Sequence, residues 1–226
     1  MYTTFKAINV KIDGVRLYKT FEAHRSSLEI ANELGRPVEM PAFDRRIQFP
    51  TVQQLKPREI EEARPNQYSG HFGLGEFPLH SDLAHWALPP RYILLRCVRG
   101  AGSVTTNILP WTAIMDLLGR ITLAKAVFAV RSRPSHLGLV RALSTHRTTN
   151  VFRWDSIFLR PMSHGAHILS QLMTTQTWDP LTIKFVLSEP GDMLLIDNWR
   201  VLHGRSGVKL SDRHRCIERT YLSEIF

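Results

Sequence analysis

Hydrophobic positions along this 226-residue chain change spacing early on. In SSLEIANELG the apolar residues Leu28, Ile30, Ala31 and Leu34 repeat with helical spacing. Ser26 or Ser27 stands where an N-cap hydroxyl takes a free backbone N–H, and Gly35 stands where a helix ends. Downstream the pattern shortens to aliphatic and β-branched runs divided by turn residues. Those runs predict strands over 47–55, 91–98, 103–109, 140–144, 150–152, 157–159, 182–187, 193–196, 200–203 and 216–222. Two stretches interrupt them with helical spacing: 110–118, opened by Pro110, and 164–173, with Ile168, Leu169 and Leu172 on one side. Many short strands with few helices predict a mainly β protein with peripheral helices, a sandwich or jelly roll rather than a parallel α/β sheet.

No repeat, Gly/Ser linker or compositional break divides the chain, so residues 1–226 are expected to form a single domain. At this length about 70% of the unfolded surface can be buried. With 43% hydrophobic and 22% charged residues, disordered and low-complexity classes are excluded. No stretch reaches the roughly 18 apolar residues of a spanning helix, and the opening MYTTFKAINVKIDG lacks the apolar core of a signal peptide. The expectation is a cytoplasmic protein without a membrane partner, and nothing in the pattern selects an oligomeric state. Cys97 and Cys216 both lie in strand-like runs and read as buried free thiols rather than a disulfide framework. A net charge of +9 favours anionic small molecules, nucleic acid or an acidic surface, without choosing among them.

Chemistry enters with FPLHSDLAHW. A His and an acid two apart on an extended segment point to the same side, as His80 and Asp82 would. With 10 His and 20 acids in the chain, about 0.9 such pairs arise by chance, so the pair means little alone. A third ligand, His203, comes from PGDMLLIDNWRVLHGRS, at the end of a predicted strand. Two His and one carboxylate, two close in sequence and one distant, are the facial set of non-haem Fe(II) oxygenases. Arg213, Arg215 and Arg219 follow in RHRCIERTYL. They share strand parity, so all three can face one interior side, where a guanidinium pairs bidentately with a carboxylate.

Taken together, ELGRPV, GLGEFPLHSDLAHW, PPRYILLRCV, GSVTTNIL, FRWDSIFLRP, GDMLLIDNWRVLHGRS and RHRCIERTYL resemble, in order and spacing, the taurine dioxygenase and clavaminate synthase-like superfamily. The likeness runs from about Leu34 to Leu222. It implies a double-stranded β-helix, a cupin-like jelly roll, and an oxygenase that uses Fe(II), 2-oxoglutarate and O₂ and releases succinate and CO₂. It implies His80, Asp82 and His203 as iron ligands and Arg215, first of an R-x-x-x-R pair, as the clamp for the distal carboxylate of 2-oxoglutarate. Thr105 or Thr106 would add a hydroxyl to that carboxylate. Arg219 falls where relatives approach cosubstrate or substrate. An Asp at the second ligand argues for a hydroxylase over a halogenase.

The expected partner is a small molecule, with an anionic, amino-acid-related substrate suggested by the charge surplus and by Arg205 and Arg219 near the site residues. Their competing use is pairing with Glu218, Asp212 or Asp197. His85 and His71 are candidate substrate contacts, and Trp86 and Trp199 candidate pocket wall or core. Arg153 and Asp155 read equally as a border of the substrate loop or a cross-strand ion pair. Asp197 and Asn198 read as support for His203 or as turn formers, and His164 and His167 as a solvated helix face. Desaturation or cyclisation at the same site, and a basic nucleic-acid module using Arg131, Arg133, Arg141, Arg147, Arg153 and Arg160, are the alternatives. The module lacks an aromatic stacking strip.

Overall fold

The computed structural model describes residues 13–39, 50–131 and 138–226. The opening segment up to residue 12, the first part of the 47–55 run and Arg133 lie outside the described residues.

Along the chain come β1 (Val15–Tyr18), α1 (Ser27–Leu34), β2 (Gly35–Pro37), β3 (Val52–Leu55), α2 (Ser69–Phe72), β4 (Phe77–His80), β5 (Tyr92–Arg99) and β6 (Thr105–Pro110). A middle segment follows with α3 (Trp111–Leu118), α4 (Arg120–Lys125), β7 (Val127–Val130), β8 (Leu139–Arg141), β9 (Leu143–His146), β10 (Thr149–Phe152), β11 (Leu159–Pro161) and α5 (His164–Thr175). The chain then returns through β12 (Ile183–Val186), β13 (Met193–Asp197), β14 (Val201–Arg205) and β15 (Cys216–Ile225).

Two antiparallel sheets form the jelly roll. One runs β1-β13-β5-β15-β2, with β3 also paired to β15, and the other runs β12-β6-β14-β4. Alternation along β5 and β13 splits their apolar residues between two cores. Ile93, Leu95, Cys97, Leu194 and Ile196 meet Ile108, Phe185 and Val201 of the second sheet. Leu94, Met193 and Leu195 face the other way, onto Ile30, Ala31 and Leu34 of α1. The outer side of the second sheet, at Leu109 and Leu202, is covered by the middle segment, whose own core includes Trp111, Phe128, Phe152 and Leu169. Both sheets are thus buried on two faces, which is why β13 reads as an uninterrupted apolar run.

Helix α1 begins as expected: Ser26 and Glu29 form a reciprocal capping box. Gly35 ends it for a different reason than a left-handed cap, since its φ of −178° is ordinary extended backbone. A Cβ there would stand 2.1 Å from the Glu224 carbonyl oxygen, so β2 can approach the end of β15 only with glycine. The single strand expected over 140–144 is broken at Ala142 into β8 and β9, which belong to different small sheets. Strands β1, β2, β4 and β7 were not expected from the pattern. Among the described residues, no helix is long and apolar enough to cross a membrane.

Gly204 sets the spacing of β14 against β4, because a Cβ would meet the Phe77 carbonyl oxygen at 2.6 Å. Gly204→Ala is therefore expected to destabilise the protein by about 1–3 kcal/mol in urea denaturation, as overpacking does. Metal binding should weaken with it, since β14 carries His203 and β4 carries His80.

Candidate active site

The register between β4 and β14 places His80 directly opposite His203, with ring centroids 4.4 Å apart. Asp82 follows two residues on, past the end of β4. Its Oδ1 lies 3.4 Å from His80 Nε2 and 3.6 Å from His203 Nε2. One ligand atom from each residue falls within 4.8 Å of the others, and all three side chains are buried. His80 Nδ1 lies 2.8 Å from the Pro78 carbonyl oxygen, which can only accept, so Nδ1 holds the proton and Nε2 keeps its lone pair for a metal.

The other carboxylate oxygen, Oδ2, accepts from Arg219 Nη1 and from the Tyr221 hydroxyl, each at 2.9 Å. Both donors come from β15 on the facing sheet. Burial opposes ionisation of Asp82, but the Arg219 guanidinium outweighs it and holds the carboxyl well below its usual range. Burial lowers the pKa of His203, which favours the neutral imidazole that a metal ligand requires. Burial likewise pushes the Tyr221 phenol well above its usual value, which keeps it a donor.

The backbone at Asp82 is pinned from a distant loop. Asn198 Oδ1 accepts from Asp82 N–H at 2.9 Å, and Asn198 Nδ2 donates to the Asp82 and Pro90 carbonyls at 3.0 Å. Ser81 points away, pairing with Trp154 through its N–H and hydroxyl. Leu83 takes a φ of +55°, a left-handed conformation that a leucine adopts only under constraint. Asn198 therefore supports Asp82 rather than His203, and Asp197 forms the turn by accepting from Trp199 N–H. Arg153 and Asp155 make no ion pair with each other. The Arg153 guanidinium donates to the carbonyls of Ala84, Trp86 and Ala87, fixing the turn after the ligands. Asp155 accepts from Ile157 and Phe158 N–H and from the Tyr68 hydroxyl, and the Tyr68 ring stacks on His80 at 3.9 Å between centroids.

A cavity of about 300 Å³ opens onto these groups, lined also by Tyr68, His85, Thr106, Asp155, Phe158 and Arg215. Arg215 is 6% exposed, its Nε has no hydrogen-bond partner, and burial pulls its pKa down to about 10. Among the described residues no carboxylate pairs with it. Thr106 and Thr105 are separated by alternation on β6: Thr106 is buried and lines the cavity, while the Thr105 hydroxyl donates to Asn107. His85 reaches the cavity beside Phe158, with Nδ1 buried and unpartnered. Arg205 lines it too, but its guanidinium is taken by the carbonyls of Gly73, Gly75 and Ser206 and lies 3.6 Å over the Phe77 ring.

Arg213 departs from the shared parity. It sits in the turn before β15, exposed, and pairs with Glu62 and Glu59. None of Glu218, Asp212 and Asp197 pairs with Arg205 or Arg219. His71 bonds the Pro65 carbonyl outside the cavity, and Trp199 is buried, donating to Pro89. His164 and His167 lie on the exposed side of α5.

Among solved structures the chain is similar to asparagine oxygenase, at 21% identity and TM-score 0.60 over 76% of this chain and 55% of that one. It is also similar to the non-haem iron oxygenase OrfP in complex with Fe and α-ketoglutaric acid, at 20% identity and TM-score 0.57 over 77% and 57%. The chain has the fold of the non-haem iron oxygenases. It spans just over half the length of the solved structures it matches. No family model and no curated protein matches it.

Two residues of this iron-oxygenase fold escaped the sequence reading. Tyr221 shares strand parity with Arg215 and Arg219, a signal that was present. Tyr68 sits far from either ligand segment, in a loop without periodicity, and carries no such signal. Because Asn198 ties both the N–H and the carbonyl of Asp82 to the loop before β14, Asn198→Ala is expected to weaken Fe(II) binding about 10- to 100-fold in an anaerobic titration.

Proposed function

We propose that the chain is an Fe(II)- and 2-oxoglutarate-dependent oxygenase that hydroxylates a small, amino-acid-related molecule and releases succinate and CO₂. The observation that carries this reading is Arg215, a buried guanidinium without an acidic partner, lining the same cavity as a His, Asp, His set. An uncompensated buried cation is costly, and a bidentate carboxylate is its natural complement. A metal site alone would not call for that cation, whereas a site that must also hold a dicarboxylate does.

The donor set fits iron: two imidazole nitrogens and one carboxylate oxygen converge, with the His80 ring oriented from behind by the Pro78 carbonyl. His80, Asp82 and His203 would hold the metal, which when bound with 2-oxoglutarate supplies the activation of O₂. The protein's own residues do the rest. Arg215 binds the distal carboxylate of 2-oxoglutarate, with the Thr106 hydroxyl beside it. Arg219 and Tyr221 hold Asp82 Oδ2 so that Oδ1 stays toward the imidazoles. The Tyr68 ring covers His80 and excludes water from that side. Apart from Arg215 Nε and His203 Nδ1, the buried unpartnered polar atoms of cavity-lining residues are Nε of Arg219 and Nδ1 of His85, which are offered to the substrate. Arg205, committed to carbonyls, is not among them.

Hydroxylation is preferred to desaturation or cyclisation because the similar structures include asparagine oxygenase with 3-hydroxyasparagine and succinate, and OrfP with a hydroxy-L-Arg and succinate. The nucleic-acid module is not favoured, since one of its arginines, Arg153, is buried on backbone carbonyls.

Replacing His80, Asp82 or His203 with Ala is expected to abolish succinate formation from 2-oxoglutarate, measured with Fe(II) in excess. Full activity of Asp82→Ala would overturn the assignment. Arg215→Lys should raise the 2-oxoglutarate requirement by about tenfold or more despite the retained charge, and Thr106→Val should raise it less, with Thr105→Val unchanged. Arg215→Met removes an unpaired buried charge, so it should raise the thermal midpoint of the ligand-free protein while abolishing the stabilisation that 2-oxoglutarate gives the parent.

A further inference from the structure

Seven of the nine surplus positive charges reside in one stretch. Between Leu117 and Trp178 the chain carries eight arginines and lysines against a single acid, Asp155, which is buried in the cavity wall. The small sheet β11-β7-β8 displays much of this excess on one face. Its inner face is core, with Phe128, Val140 and Leu159 buried. The outer face is laid out by register. One row runs Arg160, Ala129, Leu139, and the next Met162, Val127, Arg141, with Arg131 continuing the parity of β7.

Nothing among the described residues covers this face. Leu139 is 60% exposed and Met162 51%, and no carboxylate pairs with Arg131, Arg141 or Arg160. An apolar strip flanked by arginines and free of acids has the composition of the centre of a protein interface. It has no aromatic side chain on which a base could stack. A second copy of the chain is a poor occupant, since two such faces would bring arginines against arginines. The face also adjoins the cavity. Arg131 donates through its backbone N–H to the Phe158 carbonyl, and Phe158 and Asp155 line the cavity from the far side of that segment.

We infer that the outer face of β11-β7-β8 is a docking surface for an acidic partner protein, which contributes carboxylates to Arg131, Arg141 and Arg160 and apolar side chains to Leu139 and Met162. A partner seated on Arg131 adjoins the 155–158 segment, whose Asp155 and Phe158 line the cavity. The inference does not depend on the proposed reaction, because binding is read without iron or cosubstrate.

The test uses fluorescence anisotropy of the full chain with a labelled amphipathic helical peptide of glutamate, alanine and leucine. A peptide with its leucines changed to serine, a DNA duplex and phosphatidylserine vesicles serve as comparison probes. The expected result is saturable binding of the first peptide, weakened about tenfold or more by the Arg141→Glu, Arg160→Glu double variant and several-fold by Leu139→Ser or by loss of the peptide's leucines. Unchanged circular dichroism and thermal midpoint confirm that the variants are folded. Absence of peptide binding to the parent overturns the inference, as does equal binding by the double variant. Tighter binding of the duplex or the vesicles, lost in the same double variant, overturns it in favour of nucleic acid or membrane.

Discussion

Asp82 lies 7% exposed between the two sheets, and a carboxylate at that depth stays ionised because a guanidinium and a phenol both donate to its Oδ2. Arg219 and Tyr221 take Oδ2 from the first sheet, while His80 and His203 face Oδ1 from the second. The desolvation cost of the charge is offset by several directed interactions rather than by one ion pair. Those contacts also tie the two sheets together across the cavity, so the spacing of the jelly roll and the geometry of the metal site are set by the same bonds.

That spacing is maintained from outside as well as within. Helix α1 closes the outer face of the first sheet and the middle segment closes that of the second. With both faces covered, strands β13 and β14 carry apolar side chains in both directions and their backbones are shielded from water. Rigid strands of this kind can hold His80 and His203 in register, as loops could not. The one ligand off a strand, Asp82, is held instead by Asn198 and by the turn that Arg153 fixes.

Arg215 works against stability in the absence of ligand. Burial lowers its pKa to about 10, and no acid among the described residues answers its charge. Local consistency of the fold is broken at this point, which is where a binding requirement would break it. The contrast with Arg219 is instructive, because the two lie four residues apart with the same parity. Arg219 has the carboxylate of Asp82 within hydrogen-bonding distance, and Arg215 faces open cavity.

The sequence by itself determined the elements and the identity of the converging residues. Alternation and helical spacing depend only on neighbours along the chain, so α1, α3, α5 and most long strands were legible. The His80, Asp82, His203 set and Arg215 were legible for another reason, the resemblance of several separated motifs in order and spacing, because no local period links His203 to the His80, Asp82 pair. What each side chain bonds to was decided by elements distant in sequence. Parity put Arg213 with Arg215 and Arg219, but the turn before β15 turned it out to Glu62. Charge counting gave Arg205 to a substrate, and the Gly73 and Gly75 carbonyls took it. Asn198 was placed beside His203 by sequence proximity, yet it binds the Asp82 backbone 116 residues away. Thr105 and Thr106 were indistinguishable until pairing with β12 and β14 fixed which face of β6 looks into the cavity. Hydrogen-bond partners and charge compensation are properties of packed surfaces, and only the folded arrangement of the two sheets specifies which surfaces meet.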